Sequence, residues 1–199
     1  MTIPNRTFFV VIFVLGLSRL ATAQSREDYL VMPPLGVGWK VAQQRQTQTW
    51  RAREFVREGE TLENWTEQIY WQTFKKGPTS DSPETAVNKS WEFIRSICPG
   101  VEWNIVERKE RAILYEWRIP SCSLDEAGRE KLAKGLGQFR PDPKVDPEKF
   151  TADQHVINLY IEGEWTIWRI GYTAKVKELS QEKRTEWIRR FSDTKVESK

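Results

Sequence analysis

A single histidine, His155, and two cysteines, Cys98 and Cys122, carry the side chains of this sequence that titrate or attack near neutral pH. His155 shares its parity with Ile157, Leu159 and Ile161, so on a strand it points to their apolar side and reads as a hydrogen-bonded structural residue. Two cysteines and one histidine fall short of a four-ligand structural zinc set, and neither a metal nor another cofactor is expected. Ser180 and Lys183 have Ser-x-x-Lys spacing, but Ser180 also precedes a helical pattern and suits the role of its cap. Glu162 and Glu164 flank Gly163, a turn position where carboxylates are normally solvated. The chain has no Gly-x-Ser-x-Gly, no HExxH and no Gly-rich phosphate loop, so no catalytic residue is assigned.

Recognition through aromatic rings is the other chemistry on offer. The chain has 10 tryptophans, all beyond residue 23. Trp91 and Trp187 fall on helical stripes, and Trp117 and Trp168 alternate with apolar neighbours, which places them in a core. Trp50, Trp65 and Trp165 sit near turns or in mixed surroundings and are the expected exposed rings. They form a candidate binding face for a sugar, a lipid or a partner's apolar side chains.

The elements that must position these groups begin after an N-terminal address. Residues 1–23 have the layout of a secretory signal peptide: Arg6 before an apolar run from Phe8 to Leu17, then Ala21-Thr22-Ala23 as the cleavage signal. The run is half the length of a membrane span, so no stable span is expected after cleavage behind Ala23. The expected location is periplasmic or secreted. Of the 31 basic residues, only Arg6 and Arg19 leave with this segment, against none of the 28 acidic ones, so the mature chain is near neutral. That removes the electrostatic argument for a nucleic-acid partner. In an oxidising compartment Cys98 and Cys122 are expected to form a disulfide.

Residues 24–37 read as an extended segment broken by Pro33-Pro34, 38–192 as one domain, and 193–199 as a polar tail. Within the domain, Gly38 to Val56 and Trp65 to Phe74 have strand character, and the second carries large groups on both parities, as a strand covered on both faces does. Ser82-Pro83 opens a helix with Val87, Trp91, Ile94 and Cys98 on one stripe, and Pro99-Gly100 ends it. Strands follow at Val101–Glu107, Arg111–Ile119, Asp153–Glu162 and Glu164–Lys175, with a short polar helix from Ser123 to Lys134 and a Pro-rich loop to Thr151 between them. A helix from Ser180 to Phe191 closes the domain. Hairpin-joined strands with two main helices give an α+β class: an antiparallel sheet packed by helices.

Particular stretches carry a resemblance. They are Asn64-Trp65-Thr66-Glu67-Gln68-Ile69, the helix ending at Cys98-Pro99-Gly100, and Leu114-Tyr115-Glu116-Trp117 running towards Cys122. Gln154-His155-Val156-Ile157 and a Gly163 hairpin ending in Tyr172-Thr173-Ala174-Lys175 complete the set. Over residues 38–175 the chain resembles bacterial secreted proteins with a PsbP-like domain; the 138–151 insertion has no place in that pattern. The resemblance implies an α/β/α sandwich and an accessory or binding role without a catalytic residue set. The resulting expectation is a non-catalytic binding or accessory protein of the cell envelope, its partner an envelope protein or a glycan or lipid component. The alternative is a carboxylate-dependent hydrolase acting on an envelope polymer, which needs two acidic groups in one cleft.

Overall fold

Strand and helix patterns alternate so that both faces of one sheet are covered. The computed structural model describes residues 27–122, 126–128, 130–131 and 152–198; residues 1–23, expected to be a signal peptide cleaved after Ala23, and the Pro-rich stretch 138–151, expected to be a loop, lie outside them. Nine strands are described: β1 Asp28–Val31, β2 Trp39–Gln46, β3 Trp50–Arg57, β4 Glu67–Lys75, β5 Glu102–Lys109, β6 Ala112–Ile119, β7 Gln154–Glu162, β8 Thr166–Ala174 and β9 Lys195–Ser198. The main helices are α1 Pro83–Ile97 and α2 Gln181–Ser192. Residues 126–128 and 130–131 are also helical, within the stretch expected to form the short polar helix.

Strands β2 to β8 form a seven-stranded sheet in the order β2-β3-β4-β8-β7-β6-β5, every pair antiparallel. Two meanders, β2-β3-β4 and β5-β6-β7-β8, thus meet where β4 pairs with β8. The core follows from the period of two along each strand. In β6, Ile113, Tyr115, Trp117 and Ile119 join Val87, Ile94 and Ile97 of α1 in one apolar cluster. Ala112 and Leu114 join Trp187 and Phe191 of α2 in the other, with Ile157, Leu159, Ile170 and Tyr172. Apolar residues on both parities of β6 and β7 are what a strand buried on both faces requires.

Local signals account for the helix ends. Ser82 caps α1, its side chain accepting from the Thr85 amide, and Pro83 fills the first turn, where its missing N–H costs nothing. The α1 stripe buries Val87, Ile94 and Ile97, and half-buried Trp91 stacks on Trp103 of β5 at 5.1 Å. Ser180 caps α2 by accepting from the Lys183 amide at 3.2 Å, and the Lys183 ammonium pairs with Glu67, so the Ser-x-x-Lys spacing is a helix start. No described helix is long and apolar enough to cross a membrane.

The termini differ from expectation. The segment expected to be merely extended at 24–37 contains β1, and the tail expected at 193–199 contains β9; the two pair antiparallel, Asp28 opposite Ser198 and Val31 opposite Lys195. No short-range pattern could reveal this, because the partners lie at opposite ends of the chain.

Cys98, at the end of α1, is bonded to Cys122 beyond β6, with a Cα–Cα distance of 5.9 Å. The bridge ties α1 to the strand pair it covers. Closing this 24-residue separation restricts the unfolded chain by roughly 3–4 kcal/mol in the chain-entropy model. Reduction with a thiol is therefore expected to lower the melting temperature by roughly 6–12 °C in calorimetry. An unchanged melting curve would show that the bridge does not constrain the fold.

Candidate functional site

A concave surface follows from where the strand ends meet. The end of β2, the start of β3, the end of β4 and the start of β8 lie side by side, joined by the 47–49 loop and the β7–β8 turn. Here a groove of about 510 Å³ is lined by Trp50, Arg51, Lys75, Trp165, Thr166 and Trp168, together with the 47–49 loop and Glu27-Asp28. A second depression of about 160 Å³ shares Arg51, Thr73 and Trp168 with it and continues to Arg53, Trp71 and Gln44.

Register explains why these side chains share a surface. Arg51 lies opposite Thr73, which lies opposite Trp168; Arg53, Trp71 and Ile170 form the next row. Residues in one register row of a sheet point to the same face. This is the face that α2 covers further along, through Tyr172 and Trp187, whose rings stack at 4.2 Å. The groove is the part of that face beyond the helix. Its rows hold a cation over an aromatic floor: the Arg53 guanidinium lies 5.2 Å from the Trp71 ring, which stacks on Phe55. Among the described residues Arg51, Arg53 and Lys75 form no ion pair, whereas Lys76 is paired with Glu162.

One carboxylate fixes the wall. Oδ2 of Asp28 accepts from the Trp165 amide at 2.6 Å, the Thr166 amide at 2.8 Å and the Thr166 hydroxyl at 2.9 Å, and Oδ1 accepts from the Ser198 hydroxyl. Trp168 then donates its indole N–H to the Thr166 hydroxyl at 2.9 Å, which orients the floor. The hairpin residue Gly163 has to be glycine, because a Cβ there would collide with the Asp28 carboxylate and with Val196 of β9. Burial alone would raise the Asp28 carboxyl, but hydrogen bonds from Ser198, Trp165 and Thr166 outweigh it and hold the group below its ordinary value.

Of the three tryptophans expected to be exposed, only Trp165 is, at 37%. Trp50 is 8% exposed; it lines the groove from the start of β3, beside Trp165. Trp65 is 2% exposed and lies at the opposite end of β4 and β8. The 58–66 loop folds inward there because Glu60 accepts from the Thr66 amide, and Lys175 covers the Trp65 ring at 4.5 Å. Trp50 and Trp165 therefore share one site and Trp65 does not. Trp168, expected in the core, is buried at 9% exposure and also lines the groove as its third ring.

His155 is fully buried. Its Nδ1 accepts from the Leu179 amide at 3.1 Å, so the proton is on Nε2, which faces Glu116 at 3.3 Å. Arg184 of α2 grips the same carboxylate with two bonds of 2.8 and 2.9 Å, and Asn104 adds a fourth contact. Burial would raise the Glu116 carboxyl, but hydrogen bonds from His155, Arg184 and Asn104 and the charge of Arg184 hold it far below the carboxylate range. This cluster anchors α2 and the 175–180 loop to the sheet. Its stabilisation is full above the ordinary carboxylate value and is lost as pH falls through the depressed one.

No protein family model matches the chain, and no curated protein matches it. Among solved structures, human StAR-related lipid transfer protein 5 is 11% identical, with 78% of this chain and 83% of that one covered and a TM-score of 0.21. A likeness of that size bears on neither fold nor ligand.

Asp28→Asn places an N–H donor among the donors that Asp28 now satisfies. It is expected to cost about 2 kcal/mol at pH 7, measured by denaturant unfolding. Because the Asp28 carboxyl is depressed on folding, the difference should be complete above the ordinary carboxylate range and shrink as pH falls through the folded value. Equal stability of the two proteins at pH 7 would contradict this account of the wall.

Proposed function

We propose that this chain is an exported, non-catalytic binding protein of the cell envelope, periplasmic or secreted, which holds an envelope component in the groove between Trp165, Trp168 and Arg51. The groove carries the reading: it joins aromatic surface to cations with no ion-pair partner among the described residues. Such a combination recognises a ligand by stacking and charge and requires no reactive group. Export rests on the signal-like N-terminus, and the Cys98–Cys122 bridge suits an oxidising compartment. The antiparallel sheet with helices on both faces is in keeping with a PsbP-like sandwich and its accessory role.

The alternative, a carboxylate-dependent hydrolase, needs two free carboxylates in one cleft. Glu27 and Asp28 both line the groove, but the Asp28 oxygens are engaged by four hydrogen bonds, which favours binding over catalysis.

Co-sedimentation of the full chain with insoluble envelope material tests the reading. Trp165→Ala leaves the hydrogen bond from the backbone N–H to the Asp28 carboxylate in place and removes the exposed ring. It is expected to weaken retention by roughly five- to thirtyfold, the range for truncating an aromatic anchor. Equal retention of variant and parent would overturn the groove as the binding surface.

A further inference from the structure

The groove is specific about the chemistry it could accept. Its neutral lining is made of amides and hydroxyls, Gln44, Gln46 and Gln48 from β2 and its loop with Thr47, Thr49 and Thr73. Among the described residues the only aliphatic side chain in either depression is the methyl of Ala52. A lipid tail would find little apolar surface beyond the indole rings, whereas amides and hydroxyls match the hydroxyl groups of a sugar. The flat faces of Trp165 and Trp168 suit the C–H face of a pyranose ring.

The charges narrow the class further. Arg51 and Arg53 are two residues apart on β3, so their side chains leave the same face from backbone positions about 7 Å apart along the strand. Lys75 stands at the end of the neighbouring strand. Guanidinium binds carboxylate through two parallel N–H bonds, and a row of two such groups suits acid groups repeated along a chain. Nucleic acid is less well served, since the mature chain is near neutral.

We propose that the ligand is an acidic glycan, a sugar chain bearing carboxylates, laid over Trp165 and Trp168 with its acid groups against Arg51 and Arg53. This deepens the binding role proposed above and rests on it.

The test is calorimetric titration of the full chain with a hexameric oligogalacturonate and with its methyl ester, which keeps the sugar and removes the charge. The acid form is expected to bind roughly tenfold or more tightly than the ester, and to weaken as salt rises from about 50 to 300 mM. Arg51→Gln with Arg53→Gln should bring the acid form down to the ester, whereas Trp165→Ala should weaken both. Equal affinity for acid and ester would overturn the inference while leaving a glycan-binding groove standing. Absence of heat with either oligomer would also overturn it, as would tighter binding of polyglutamate or oligodeoxythymidylate. Unaltered retention of Trp165→Ala on envelope material would instead remove the groove as the binding surface on which this inference rests.

Discussion

The carboxylate of Asp28 connects three parts of the chain that sequence keeps far apart, bonding to Trp165, Thr166 and Ser198 across separations of 137, 138 and 170 residues. A carboxylate can be buried only if donors replace its water, and four donors do so here. The consequences run outward from this atom group. The β7–β8 turn is held in place, Gly163 is fixed as glycine, β1 and β9 are pinned beside the turn, and Thr166 is positioned to receive the Trp168 indole. The groove therefore depends on a contact between the two ends of the chain.

A second buried carboxylate does the corresponding work on the α2 side. Glu116 is satisfied by His155, Arg184 and Asn104, which join β5, β6 and β7 to α2. Removing one of these partners is costly because the Glu116 charge stays buried with fewer donors to satisfy it. It also explains the single histidine: the ring is a connector between the Leu179 amide and Glu116, with no face open to a substrate.

How much was legible follows from the range of each interaction. Strand alternation, the Ser82-Pro83 start of α1 and the Ser180 start of α2 are local, and they are visible in the sequence. The β1–β9 pairing and the β4–β8 junction are set by partners distant in the chain, so periodicity is silent about them. The groove was half legible. Trp50 and Trp165 were marked by their places near turns, but Trp65 has the same local look and is buried, because Lys175 and Glu60 close over it from elsewhere. Arg51 and Arg53 carry no local mark that sets them apart from the other charged residues of the sequence. The signal that could have singled them out is their shared parity on β3 directly after Gln46-Thr47-Gln48-Thr49-Trp50, a polar turn with a large ring beside it.

The central claim is that one groove, walled by the Asp28 contact and floored by Trp168, is where this protein meets a sugar-like acidic chain. The most direct measurement is a nitrogen–proton spectrum of the tryptophan indoles, recorded while the labelled full chain is titrated with oligogalacturonate. The Trp165 and Trp168 signals are expected to move together while those of buried Trp65, Trp117 and Trp187 stay in place. Stationary Trp165 and Trp168 signals, or movement confined to the other rings, would contradict that claim.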